Sequence, residues 1–133
     1  MKYQRPIPRR TISKEFEEGV YQAKIVSVRR EKSKKKQDMF VLTLEGMQGE
    51  RVSYFLTFGT VYTQSNMNYL LASIESNKVE IPDISYGFNR QTYEFLKGKQ
   101  VFIKIEMKKY KGVTKPQVES FLMREEYEEK EFL

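Results

Sequence analysis

Apolar side chains recur at every second position in five separate runs of this chain, and clear helical spacing occurs in one. That pattern restricts the fold to a β framework with one substantial helix. The five runs are residues 19–30, 39–45, 51–58, 99–108 and 116–123. In the first, the apolar parity switches between Ile25 and Val26. Such a switch predicts a bulge, or a strand shared between two sides of a curled sheet. Phe40, Leu42 and Leu44 share one face of the second run, and Val52, Tyr54, Leu56 and Phe58 one face of the third. The fourth sets Val101, Ile103 and Ile105 against Phe102, Lys104, Glu106 and Lys108. Met67, Leu70, Leu71 and Ile74 follow the i, i+3, i+4, i+7 spacing of a helix, with Thr63 or Ser65 as its cap and Asn77 near its end. Residues 89–96 predict one further short helical turn.

The order is therefore β-β-β-α-β-β. Five strands curled into a small barrel would remove the exposed edges of an open sheet, with the helix plugging one end. This predicts an all-β protein with one or two helices, in the element order of the OB-fold, a five-stranded barrel. An open α+β sandwich, a meander packed on a helix with an extra hairpin, is the rival. One domain, residues 16–123, carries a basic extended arm (1–15) and an acidic tail (124–133). Pro6 and Pro8 deny the arm a helix.

Charge gives the first hint of function. The tail sets five Glu against Arg124 and Lys130, a net −3 in a chain of net +6, so the body is strongly basic. A basic body can bind a polyanion, and an acidic tail can compete for that site or be handed to a partner. The chain has no Cys and no His. Disulfides, thiolate metal sites and the commonest general base are excluded. The carboxylates Asp38, Asp83, Glu45 and Glu106 form no recognisable nuclease motif, so neither an enzyme nor a metal or other cofactor is expected. No run approaches a membrane span, and the N-terminal stretch lacks the apolar run of a secretory signal, so a cytoplasmic location is expected.

Two basic loops stand out. One holds Arg29, Arg30, Lys32, Lys34, Lys35 and Lys36 between the first two strands, and the other holds Lys108, Lys109, Tyr110 and Lys111 between the last two. In an OB barrel these loops border the nucleic-acid groove, where cations neutralise phosphates with little sequence preference. Arg51 and Lys104 add charge on the strand faces. Three rings are expected to look outward for base stacking: Phe55 beside Arg51, Phe102 beside Lys104, and Tyr110 among lysines. Tyr21, Phe40, Tyr54 and Phe58 are assigned to the core. The arm, with Arg5, Arg9 and Arg10, would track a phosphate backbone or be a disordered terminus.

On these residues, together with Gly19-Val20-Tyr21-Gln22-Ala23-Lys24-Ile25 and Leu96-Lys97-Gly98-Lys99-Gln100-Val101, the chain resembles single-stranded DNA-binding proteins, above all the compact ones of bacteriophages and mobile elements. The resemblance implies a non-enzymatic OB-fold protein that coats single-stranded DNA in replication or recombination. It implies that Glu125, Glu126, Glu128, Glu129, Glu131, Phe132 and Leu133 dock replication or recombination proteins. The chain departs from the family in its short linker, its final Leu133 and its lack of Trp, which leaves autoinhibition by the tail open beside recruitment. A homodimer is compatible with this reading. RNA binding by the same barrel, and an adaptor whose basic face docks an acidic protein, are the alternatives.

Overall fold

The computed structural model describes residues 2–3 and 14–131. Five strands form one antiparallel sheet: β1 (Gly19–Lys32), β2 (Asp38–Gly46), β3 (Arg51–Thr57), β4 (Gln100–Tyr110) and β5 (Val113–Leu122). Helices α1 (Thr63–Glu75) and α2 (Arg90–Leu96) lie between β3 and β4, and α3 (Arg124–Glu131) follows β5. The spatial order is β3-β2-β1-β4-β5. The first half of β1 pairs with β4, from Gly19 opposite Ile105, and the second half with β2, ending at Lys32 opposite Asp38. The register shifts between Ile25 and Ser27, so Val26 is the bulged residue that the parity switch predicts. The bulge lets one long strand serve both halves of a curled sheet.

The curl brings the two edge strands towards each other. Tyr54 of β3 meets Phe121 of β5 edge to face, with ring centroids 4.8 Å apart. No hydrogen-bonded ladder joins β3 to β5 among the described residues. The inward faces supply a core that includes Ile25, Val28, Phe40, Leu42, Leu44, Leu56, Val101, Ile103, Ile105, Val118 and Phe121. From α1, Met67, Leu70 and Ile74 enter it and Leu71 packs against it half-buried. Burying an aliphatic side chain of this size stabilises by about 1.5–3 kcal/mol, so the helix is held by its face and not by its ends. Neither Thr63 nor Ser65 caps α1, contrary to expectation. The Thr63 hydroxyl donates to the Thr57 carbonyl (2.8 Å) and that of Ser65 to the Tyr62 carbonyl (3.2 Å). Asn89 does cap α2, accepting from the Thr92 N–H at 2.8 Å.

Several boundaries differ from the sequence reading. β1 continues through Lys32, so Arg29, Arg30 and Lys32 are strand residues and the loop shrinks to residues 33–37. β5 begins at Val113, with Pro116 inside it opposite Met107, which an edge strand tolerates because one side needs no N–H donor. Phe16, which precedes β1, is buried in the core. Its ring lies so close to Gly46 that a β-carbon there would come within 2.8 Å of it, and within 2.7 Å of Glu50 Oε1. Within the acidic tail, Arg124–Glu131 form a third helix. Among the described residues no helix is long and apolar enough to cross a membrane.

Candidate nucleic-acid interface

The outer face of β1, β2 and β3 is set by register. Across it, Arg29 stands opposite Val41, and Val41 opposite Phe55. The next rows are Glu31, Met39 and Thr57 on one side and Lys24, Glu45 and Arg51 further along. Phe55 leaves 58% of its surface in solvent on this face, as expected. Its near neighbours are Ser53, Thr57 and Val41, with Arg29 one strand beyond. Arg29 pairs with Glu31 at 3.3 Å, Arg51 with Glu45 at 2.8 Å, and Lys32 with Asp38. These pairs are solvent-exposed and worth at most about 1 kcal/mol each, so a phosphate can displace the carboxylates.

The β1–β2 hairpin closes through Ser33, whose N–H donates to the Gln37 carbonyl (2.9 Å) and whose carbonyl accepts from the Lys36 N–H (2.8 Å). Lys34, Lys35 and Lys36 are exposed, and none pairs with a carboxylate among the described residues. Lys36 has φ +61°, in the left-handed region where a side chain costs about 1–2 kcal/mol.

The β4–β5 hairpin repeats this chemistry more sharply. β1 begins at Gly19, opposite Ile105, so past Ile105 β4 and β5 continue as a two-stranded ribbon. On one face of the ribbon Lys108 is directly opposite Lys115, and Tyr110 directly opposite Val113. Like charges in that position destabilise a strand pair. Lys111 and Gly112 make the turn with φ +50° and +79°, the two left-handed residues that a tight hairpin requires. Tyr110 is 68% exposed, and the Lys111 ammonium lies 5.4 Å from its ring centroid. Lys108, Tyr110, Lys111, Val113, Lys115 and Pro116 border a recess of about 470 Å³.

Other expected contacts are not brought together. Phe102 is a correction: its ring is 1% exposed, not outward. Tyr127 of α3 stacks on it, centroids 4.6 Å apart and planes 24° apart, and the Arg124 guanidinium lies 5.2 Å from its centroid. The acidic segment itself thus covers the ring. Burial, and then the neighbouring Glu131 carboxylate, raise the Tyr127 phenol above its ordinary pKa. Arg124 also ties α3 to the end of α1, donating from Nε to the Ser76 carbonyl at 3.1 Å. Lys104 pairs with Glu119 at 3.2 Å and borders a cleft with Glu126 and Lys130 of α3, away from the ribbon tip. The two lysine hairpins lie at opposite ends of β1, one past Gly19 and one past Lys32, so they flank the sheet and do not touch. Glu128, Glu129 and Glu131 are exposed on α3. The arm residues Arg5, Arg9 and Arg10, and the tip Phe132-Leu133, lie outside the described residues.

Sequence reasoning missed Ser73. It is fully buried in α1, and its hydroxyl accepts from the Phe102 N–H (2.8 Å) and donates to the Phe102 carbonyl (3.2 Å). A polar residue on the buried side of an amphipathic helix was the available signal. The carboxylates weighed for a nuclease are dispersed. Asp38 serves Lys32 and Glu45 serves Arg51, and among the described residues no three metal-ligating side chains cluster.

No family model matches this chain, and no curated protein matches it in sequence.

Proposed function

We propose that this is a sequence-tolerant single-stranded DNA-binding protein built on an OB-type barrel. The bulged β1 shared by both halves of the sheet, and the approach of β3 to β5, support the barrel assignment. The β4–β5 ribbon carries the functional reading. It places Lys108 against Lys115 and a lysine at a left-handed turn position, two local costs to stability, around one exposed tyrosine. A polyanion reverses the charge cost, and an unstacked base covers the ring for about 1–3 kcal/mol. Phe55 and the free lysines of residues 34–36 extend the same chemistry across the β1–β2–β3 face. A strand would run from one hairpin to the other over that face, its phosphates on Lys and Arg and its bases on Phe55 and Tyr110. Lys104 and the buried Phe102 are not part of this path.

The protein would act in the cytoplasm during phage-like replication or recombination, without catalysis. The exposed carboxylates of α3 offer a surface to replication or recombination proteins. Fluorescence anisotropy with oligo-dT, a matched duplex and a matched ribo-oligomer across a salt series tests the reading. Tight binding to oligo-dT that weakens steeply with salt, with duplex far weaker, is the expected result. Equal affinity for duplex and single strand contradicts it, and a clear ribo preference transfers the assignment to RNA.

A further inference from the structure

One cavity lies beyond the face described above. It has a volume of about 300 Å³ and is lined by Arg30, Phe40, Phe88, Asn89, Arg90, Tyr93 and Glu94. Strand parity explains Arg30. It stands opposite Phe40 in the β1–β2 ladder, on the inward side, one step past the last core residue Val28. Its side chain therefore reaches the open end of the sheet and not the outer face. The walls are aromatic. Phe40 lies 5.0 Å from Phe88 and 5.8 Å from Tyr93, centroid to centroid, and Phe58 backs Phe88 at 5.6 Å. Phe40 is sealed, whereas Phe88 leaves 38% of its surface in solvent.

The charge at the mouth is cationic and loosely held. The Arg90 side chain is 92% exposed, and among the described residues its carboxylate contact is Glu94 at 4.0 Å. Arg30 has no carboxylate partner among the described residues. Asn89 is already committed: its oxygen accepts from the Thr92 N–H and its amide donates to the Ser85 carbonyl. Each polar atom of that amide thus already carries one hydrogen bond, which fixes how the side chain is oriented. Rings plus two guanidiniums, against the single lining carboxylate of Glu94, suit a flat group that carries an anion. The volume admits one such unit and not a length of strand.

We infer that this cavity is a subsite for one nucleotide of the bound strand, its base against Phe88 and its phosphate between Arg30 and Arg90. The inference rests on the proposed single-strand binding. Arg30 stands only three residues before the lysine hairpin, so a strand leaving Lys34–Lys36 can turn its next nucleotide into the cavity.

Photocrosslinking of the full chain to oligo-dT carrying 5-iodouracil, with peptide mapping, tests it. Crosslinks to the segment from Phe88 to Tyr93 are expected, unchanged by excess thymidine monophosphate. Phe88→Ala should remove them and weaken oligo-dT binding roughly tenfold. Because Phe88 packs on Phe40 and Phe58, Arg90→Glu provides a variant at an exposed site, with a loss of roughly tenfold at low salt. Crosslinks confined to Phe55 and Tyr110, with Arg90→Glu binding within twofold of the parent, overturn the subsite and leave single-strand binding standing. Loss of the crosslinks to free monophosphate overturns it in favour of a free-nucleotide pocket. Failure of the parent protein to bind oligo-dT at all defeats the broader reading and this one with it.

Discussion

Replacing Lys111 with Asn separates what this residue does for the fold from what it does for binding. Lys111 sits at φ +50° in a two-residue turn, followed by Gly112 at +79°. An L-residue there costs about 1–2 kcal/mol, whereas Asn visits the region readily. Asn-Gly is the preferred pair for such a turn. Lys111→Asn should therefore stabilise the protein by about 0.5–1 kcal/mol, raising Tm by about 2–5 °C for a chain of this size. The same change deletes one phosphate contact. The slope of log K against log salt should become shallower by about 0.7, which at 0.1 M salt is about fivefold in affinity. Lys78 is the control, since its φ of +65° at the end of α1 has the same strain outside the interface. Lys78→Asn should stabilise to a similar extent and leave the salt slope unchanged. Urea denaturation and anisotropy titrations between 0.05 and about 0.3 M salt measure both quantities. A stabilised Lys111→Asn with an undiminished slope would refute the argument that this lysine is kept for an anion.

Three further outcomes follow from the same geometry. Phe55→Ala should lower oligo-dT affinity by about 1–3 kcal/mol in anisotropy while leaving the urea midpoint nearly unchanged, because the ring is 58% exposed. Ser73→Ala should cost about 1–3 kcal/mol of stability by chemical denaturation, since it strands the buried Phe102 N–H that the hydroxyl now satisfies at 2.8 Å. The Tyr127 phenol has its pKa raised by burial and by Glu131, so its contribution to α3 docking is intact below the ordinary tyrosine value near 10 and is lost as pH rises through the higher folded value. The helical circular dichroism signal of α3 should fall in that alkaline window, and Tyr127→Phe, which keeps the ring stack, should abolish that fall.

The framework was legible because its signals are local and redundant. Alternation in the β runs and the Met67, Leu70, Ile74 stripe each specify a face, and the parity switch at Ile25 and Val26 marked the bulge. The site was legible only in part. Parity correctly sent Phe55 outward, where it is exposed among the described residues. The same parity argument sent Phe102 outward and failed, because Tyr127 lies far along the chain and alternation within a strand carries no record of what docks on it. The acidic segment looked like a tail because charge composition does not reveal a single aromatic anchor. Arg30 was read as a loop cation, although its even parity with Val28 already placed it on the inward side. The cavity it borders draws Phe88 and Tyr93 from a loop and a short helix whose position no periodicity fixes.

Backbone and side-chain NMR of the chain titrated with oligo-dT at low salt addresses the central claim most directly. A strand laid across both hairpins should perturb Arg29, Phe55, Tyr110 and Lys111 with saturation at one common oligonucleotide concentration, the Tyr110 ring resonances moving upfield under a stacked base. Perturbations restricted to one hairpin, or the Phe55 and Tyr110 rings unmoved at saturation, would contradict it.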